Sequence, residues 1–126
     1  MSQKAKSIAI IGASTNPDKY GNKAVKAYRR RGYTVFPVTP NAEEVEGLKA
    51  YRSIGEIPGP VDTASLYLPP KVGITVLAGI AEKGVEEFYV NPGAESEELL
   101  EEARRLGLRP IVACSILAIG QHPEEV

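Results

Sequence analysis

The segment SIAIIGASTNPDKY, residues 7–20, decides the fold of this chain. Its apolar run at residues 8–11 leads directly into Gly12 and a loop of small and turn-forming residues, and an amphipathic stretch follows from Gly21. This order predicts a β-strand, a loop and an α-helix. Because a helix N-terminus presents unpaired backbone N–H groups and a partial positive charge, the segment also predicts a site for a phosphate.

The loop itself matches no named phosphate motif. Gly12, Ala13 and Ser14 are small enough for the backbone to approach a ligand closely. However, the loop has one glycine where the dinucleotide fingerprint G-x-G-x-x-G has three, and it lacks the lysine of a P-loop. It is therefore as typical of a tight turn in a doubly wound domain as of a binding site.

The composition limits the classes of partner. Fifteen basic and sixteen acidic residues give a net charge of -1, which provides no overall attraction for nucleic acid or an anionic membrane. The length of 126 residues predicts one domain spanning residues 1–126. The N-terminal MSQKAKS lacks the apolar core of a signal peptide, and no apolar run approaches the ~20 residues that span a bilayer. We expect a cytoplasmic protein.

Strands and helices alternate along the rest of the chain. Strands are predicted at residues 33–39, 61–68, 86–90 and 109–113, and helices at residues 21–31, 71–83 and 96–106. A short helix near residues 53–56 interrupts an irregular connection, and the form of residues 114–119 stays open. The alternation predicts an α/β fold with three layers, in which helices cover both faces of a doubly wound, Rossmann-like, mostly parallel sheet of about five strands. Pro37 lacks a backbone donor for the sheet, so the second strand either lies near an edge or has left the ladder by that point.

Four loops follow the predicted strands at their carboxyl ends. They are Gly12-Ala13-Ser14, Thr39-Pro40-Asn41, Leu68-Pro69-Pro70 and Asn91-Pro92-Gly93. In a doubly wound sheet these loops meet at one edge, and ligands bind there where the strand order reverses. NAD would call for an acidic residue at the end of the second strand, where the nearest carboxylate is Glu43. The pattern therefore argues against NAD.

Four short motifs occupy those loops in order: GAS, VTPN, YLPP and NPGA. Over residues 8–114 the chain thereby resembles the small coenzyme A-binding domain proteins, relatives of the N-terminal domain of the succinyl-CoA synthetase α-subunit. The resemblance implies binding of coenzyme A (CoA) or an acyl-CoA at the carboxyl ends of the strands. It implies phosphate contacts for Gly12, Ala13 and Ser14, positions along the adenosine for Pro37, Val38 and Thr39, and positions flanking the ligand for Leu68 and Pro69.

The chain departs from the synthetase subunit at two points. The synthetase has a glycine and a phosphate-binding lysine where this chain has Asn41 and Ala42, and its second domain with a phosphorylated histidine has no counterpart here. Lys19 and Lys71, near the first and third loops, are candidates to replace the lysine, although each is as typical of an exposed cation. Tyr20 is a candidate to stack on the ligand or hydrogen-bond to it, or else a packing residue.

No catalytic or metal-binding set emerges from the residues. His122 has no serine, carboxylate pair or metal-spaced partner nearby, and Cys114 is typical of a small buried hydrophobic residue, with a mixed disulfide to the CoA thiol as its alternative. We predict non-catalytic binding of CoA or an acyl-CoA, a nucleotide ligand rather than nucleic acid or a membrane, and no identified protein partner. The alternatives are an NAD(P)-binding redox module, or a ligase-like subunit or regulatory module that needs a partner.

Overall fold

The computed structural model describes residues 6–126, so most of the N-terminal segment discussed above, residues 1–5, lies outside the described residues. Within that range the strands are β1 (Ser7–Ile11), β2 (Thr34–Val38), β3 (Glu44–Val45), β4 (Leu48–Lys49), β5 (Thr63–Leu66), β6 (Glu87–Val90) and β7 (Pro110–Val112). The helices are α1 (Tyr20–Arg30), α2 (Pro70–Gly73), α3 (Leu77–Lys83), α4 (Glu97–Arg105) and α5 (Ser115–Ala118). None of these helices is long and apolar enough to cross a membrane.

Five of the strands form one parallel sheet in the order β2-β1-β5-β6-β7. The chain passes from β1 to β2 on one side and then crosses to β5 on the other side of β1. The strand order therefore reverses between β1 and β5, which is where ligands bind in such sheets. The prediction of a Rossmann-like, mostly parallel sheet of about five strands is confirmed.

Alternate side chains of β1 enter two separate cores. Ile8 and Ile10 pack with residues of α1 and with Ile116 of α5, whereas Ala9 and Ile11 pack with residues of α3 and α4 on the opposite face. Because successive side chains of a strand point to opposite faces, one continuous apolar run anchors both helix layers. The three-layer α/β prediction is confirmed.

Of the two alternatives for Pro37, the structure shows the first: Pro37 lies in the edge strand β2, paired with Ile10. The outer side of β2 is not fully open, however. The backbone N–H of Tyr51 donates to the Pro37 carbonyl at 2.9 Å, and the Thr39 N–H donates to the Tyr51 carbonyl at 2.8 Å. Tyr51 therefore extends the sheet by one bridging residue, opposite Val38.

The connection between β2 and β5 is more regular than predicted. Strands β3 and β4 form a small antiparallel hairpin whose turn residues, Glu46 and Gly47, have φ values of 52° and 78°. The hairpin was not predicted because its first turn residue is glutamate, whereas such turns favour asparagine, aspartate or glycine at this position. The predicted short helix is present as a 3₁₀ turn, Ile54–Glu56.

The prediction of one continuous helix over residues 71–83 is wrong. The structure divides it into α2, a 3₁₀ turn at Ile74–Val76, and α3. Three consecutive β-branched residues, Ile74, Thr75 and Val76, lower helix propensity at the break. The hydroxyl of Thr75 also donates to the carbonyl of Val72 at 2.6 Å.

Two predicted helix ends are confirmed. The Ser96 hydroxyl accepts a hydrogen bond from the Leu99 N–H at 3.1 Å and so caps α4. Gly32 follows α1 with φ +81°, the left-handed conformation that often ends a helix. The apolar residues 114–119, whose form stayed open, contain the short helix α5.

Candidate functional site

A cleft of about 1040 Å³ opens at the carboxyl ends of β1, β2, β5 and β6. This volume lies near the upper end of the usual range for ligand pockets, roughly 300–1,000 Å³. Eleven of the residues predicted to bind ligand lie on its wall: Gly12, Ala13, Ser14, Lys19, Tyr20, Val38, Thr39, Leu68, Pro69, Pro92 and Gly93. The structure therefore brings all four predicted loops to one cleft.

Three predicted residues do not reach the cleft wall. Pro37 is buried within β2, Lys71 is exposed on α2, and Asn91 is buried beneath its loop with 2% of its surface exposed. In each case local sequence could not show which way the side chain faces. Lys71 is thus not positioned to replace the missing lysine, which leaves Lys19 as the sequence-predicted cation on the wall.

The backbone N–H groups of Gly12 and Ala13, which were expected to contact a phosphate, are already paired within the protein. The N–H groups of Gly12 and Ala13 both donate to the Val38 carbonyl, at 3.0 and 3.2 Å, and so tie the loop to β2. Four other cleft-lining residues, Ser14, Thr15, Tyr20 and Gly21, have backbone N–H groups that donate to no acceptor within residues 6–126. Unpaired donors at a helix N-terminus are suited to an anion.

Asn22 fixes the orientation of this loop. Its fully buried side chain donates from Nδ2 to the Ser14 carbonyl at 2.9 Å and to Glu46 Oε2 at 3.0 Å. Because a trans peptide directs its C=O and N–H in opposite directions, the Thr15 N–H points away from Asn22. Sequence reasoning missed Asn22; the available signal was a polar residue on the buried face of a helix.

Two glycines bring the first loop close to its neighbours. A Cβ on Gly12, whose φ is +95°, would lie 2.8 Å from the Tyr67 carbonyl oxygen. A Cβ on Gly21 would overlap the carbonyl oxygen of Gly12. Gly12 therefore serves the packing of the loop against the end of β5, rather than simply leaving room for a ligand. Gly21, the second residue of α1, allows the loop to pack against the helix.

Two parts of the cleft wall were not predicted. One is residues 52–55, which follow the β3–β4 hairpin, and the other is formed by Val72, Thr75, Val76, Gly79 and Glu82 of the α2–α3 segment. They bring Arg52 and Glu82 to the site. Among residues 6–126, Lys19, Arg52 and Glu82 are the charged residues on the wall. Glu43, the carboxylate nearest to the second strand in sequence, is not on the wall.

A buried hydrogen-bond network lies beneath the loops after β5 and β6. The Ser115 hydroxyl is 2.8 Å from the Ser65 hydroxyl and 2.9 Å from the Tyr67 hydroxyl, and the Tyr28 hydroxyl donates to the Ser115 carbonyl at 2.8 Å. Asn91 donates from Nδ2 to the Ser65 hydroxyl at 2.8 Å and accepts at Oδ1 from the Ser115 N–H at 2.8 Å. The network joins α1, β5, the loops after β5 and β6, and α5.

Of this network, Tyr67 is the member that reaches the cleft wall. Burial raises the pKa of the Tyr67 phenol to about 12. Its hydroxyl is therefore neutral at physiological pH and available as a hydrogen-bond partner rather than as a base. The network supports the cleft floor and does not form an acid–base pair.

The two side chains considered for chemistry lie elsewhere. Cys114 is half-buried and packs against the core on the α1 face, and His122 is exposed next to the C-terminal 3₁₀ turn Pro123–Glu125. Neither lines the cleft. Within residues 6–126, no three histidine, cysteine, aspartate or glutamate side chains are grouped so as to hold a metal ion.

Comparisons with known proteins identify the family of this chain. Residues 6–121 match the family described as CoA binding domain. The chain is 38% identical over 115 residues to the α subunit of ADP-forming acetate–CoA ligase II from Pyrococcus furiosus, a match that covers 82% of this chain and 25% of that subunit. It is 32% identical over 109 residues to YneT of Bacillus subtilis, covering 83% of this chain and 78% of YneT.

A solved structure has the same fold. It is a conserved hypothetical protein from Pyrococcus furiosus, 39% identical, with a TM-score of 0.81 and coverage of 91% of this chain and 99% of the other. The chain thus spans about a quarter of the ligase subunit but nearly the whole of this conserved hypothetical protein.

Proposed function

The chain belongs to the CoA-binding domain family, and we propose that it binds coenzyme A or an acyl-CoA in the cleft without catalysing a reaction by itself. Membership confirms the family resemblance predicted from the four loop motifs. The observation that carries the proposal is the set of unpaired backbone N–H groups on the cleft wall at Ser14, Thr15, Tyr20 and Gly21. A pyrophosphate supplies the acceptor oxygens that such donors require.

The proposed ligand extends from this point in two directions. The adenosine lies toward the end of β2, along Val38 and Thr39, and the pantetheine arm lies toward Leu68 and Pro69 and the loop after β6. The family resemblance implies this orientation, and the strand order places β2 and β5 on opposite sides of the phosphate-binding loop. The cleft wall contains residues from each of these segments.

A non-catalytic role is supported by where the reactive side chains lie. The cysteine and histidine considered for chemistry are both outside the cleft wall, and Tyr67, which is on it, has a pKa of about 12. Residues 6–126 thus give the wall hydrogen-bonding groups, the cations Lys19 and Arg52 and one carboxylate, Glu82, which has no histidine, cysteine or serine–histidine partner on the wall. We propose that residues 1–126 act as one such binding domain.

A ligase-like role is the second candidate, favoured by the acetate–CoA ligase relatives. This chain covers 25% of the Pyrococcus ligase subunit and 17% of a related ADP-forming ligase from Archaeoglobus fulgidus. In this version of the proposal, the chain supplies the CoA site and a partner supplies the remaining chemistry. The same cleft would bind CoA in both cases.

Thermal unfolding should rank the nucleotides as CoA first and NAD last. A ligand at 100 times its dissociation constant stabilises the folded state by about 2.7 kcal/mol, which raises the melting temperature by roughly 10 °C in a protein of this size. CoA, acetyl-CoA, 3′-dephospho-CoA, NAD and NADP are compared at matched concentrations by differential scanning fluorimetry. We expect a small shift with NAD, because the end of β2 carries no carboxylate for its ribose.

A larger shift with NAD or NADP than with CoA would contradict the proposal and favour the redox-module alternative. The Glu82→Gln variant is the matched control, since Glu82 is the carboxylate on the cleft wall. If NAD binding is strong in the wild type and lost in this variant, the cleft holds the ribose through α3 rather than through β2.

The isolated protein should leave a thioester intact. We expect acetyl-CoA incubated with the protein, ADP and phosphate to disappear at the rate of a protein-free control, as measured by chromatography of CoA and acetyl-CoA. Turnover above that rate that a His122→Ala or Cys114→Ala substitution abolishes would refute the non-catalytic proposal.

A further inference from the structure

Arg52 is the cation that the cleft presents at the carboxyl end of β2. Its position is fixed through Tyr51, which exchanges backbone hydrogen bonds with Pro37 and Thr39 at 2.9 and 2.8 Å. The Tyr51 ring also packs edge-on against Phe36 of β2, with 5.9 Å between ring centroids. The backbone of Arg52 is therefore held beside the last residues of β2.

The side chain of Arg52 is free to bind a ligand. It is exposed and lines the cleft, and within residues 6–126 its guanidinium forms no ion pair or hydrogen bond with another protein group. Ser53, the next residue on the wall, is also exposed, and its hydroxyl does not cap the following 3₁₀ turn. A guanidinium and a hydroxyl thus stand together without protein partners.

We propose that Arg52 binds the 3′-phosphate of CoA and thereby sets the preference of this protein for CoA over 3′-dephospho-CoA, an inference that rests on the proposed function. If the pyrophosphate is held at the start of α1, the ribose lies toward the end of β2, next to Arg52. A phosphate monoester carries close to two negative charges and three exposed acceptor oxygens. The planar guanidinium of arginine matches two of these oxygens at once.

The other candidates do not fit this role. Lys19 precedes α1 at its N-cap, beside the donors for the pyrophosphate, which CoA and 3′-dephospho-CoA share. Lys71 is not on the cleft wall, and Asn41 and Ala42 carry no charge. Of the two cations that the described part of the chain, residues 6–126, places on the wall, Arg52 is therefore the one positioned to distinguish these ligands.

Isothermal titration calorimetry with CoA and with 3′-dephospho-CoA tests the proposal. We expect the wild type to bind CoA about ten-fold more tightly, which is the effect of one charge-assisted contact at an exposed site. Arg52→Gln should weaken CoA by about ten-fold and change 3′-dephospho-CoA by less than about two-fold. Lys19→Gln should weaken both ligands by the same factor, because both carry the pyrophosphate.

Arg104→Gln is the matched control, because Arg104 is exposed on α4 and does not line the cleft. It should leave both affinities unchanged. Arg52→Lys is the second variant: it keeps the charge but loses the planar fork, so we expect a smaller loss that is still confined to CoA. Unfolding midpoints of all variants establish that each one folds.

Two results would overturn the inference. Equal weakening of CoA and 3′-dephospho-CoA by Arg52→Gln, or no weakening of either, would show that Arg52 does not read the 3′-phosphate while leaving the proposed function intact. No binding of CoA to the wild type would overturn the proposed function and this inference with it.

Discussion

Asn91→Ala should destabilise the protein by about 3–5 kcal/mol. Asn91 donates to the Ser65 hydroxyl and the Leu66 carbonyl, at 2.8 and 2.9 Å, and accepts from the Ser115 N–H at 2.8 Å. Truncation leaves the Ser115 N–H without a partner, which costs about 1–3 kcal/mol. It also removes one of two hydrogen bonds from the Ser65 hydroxyl and from the Leu66 carbonyl, at about 0.5–1.5 kcal/mol each. The side chain is only 2% exposed, so water does not readily replace it.

Urea unfolding at equilibrium measures this effect, with Asn41→Ala as the matched control. Asn41 is exposed, so its truncation should change the free energy of unfolding by less than about 0.5 kcal/mol. In conditions where Asn91→Ala remains folded, we expect it to bind CoA with wild-type affinity, because Asn91 is not on the cleft wall. Wild-type stability combined with lost CoA affinity would instead support the ligand-binding role that the sequence predicted for Asn91.

The fold could be predicted because its signals are local. The apolar run of β1, the glycines after α1 and α3, and the serine that caps α4 each mark an element boundary without reference to the rest of the chain. Alternation of strands with helices then requires a parallel sheet with crossovers. Pro37 narrowed the position of the second strand to an edge or an early exit from the ladder, since a central strand would miss its N–H donor.

The position of the cleft and most of its predicted residues could also be inferred from the sequence. Parallel strands place all of their carboxyl ends at one edge, so loops far apart in sequence were assigned to one site. Sequence does not show how a loop is rotated, however. Pro92 and Gly93 face the cleft while the adjacent Asn91 lies buried below them, and the three were predicted to act together.

The rest of the wall depends on tertiary packing that no local pattern reports. Residues 52–55 reach the cleft because the 3₁₀ turn at Ile54–Glu56 packs against α3, and Ile54 is 4% exposed in the core that it shares with Leu77. The hairpin that leads to this turn has strands of only two residues. The sequence therefore did not indicate that Arg52, in an irregular connection, lies beside β2.

Gly21→Ala should destabilise the protein by about 3 kcal/mol, although alanine is the better helix former. Gly21 lies in the first turn of α1, where an added Cβ would overlap the Gly12 carbonyl oxygen and approach the Ala13 Cα to 3.2 Å. Both obstacles are backbone atoms, which cannot rotate away as a flexible side chain can. Gly79→Ala in α3 is the matched control, because its Cβ would lie 3.7 Å from Ile54 Cγ2, an ordinary contact.

In urea unfolding, the free energy of unfolding should therefore fall for Gly21→Ala. For Gly79→Ala it should stay the same or rise by up to about 1 kcal/mol. The Gly21 variant also tests the phosphate site. Relief of the overlap moves the first loop away from α1, which separates the N–H groups of Ser14 and Thr15 from those of Tyr20 and Gly21. We expect CoA affinity to fall even in protein that remains folded. A destabilised variant with unchanged CoA affinity would show that the loop and helix do not bind the pyrophosphate jointly, and unchanged stability would refute the predicted overlap.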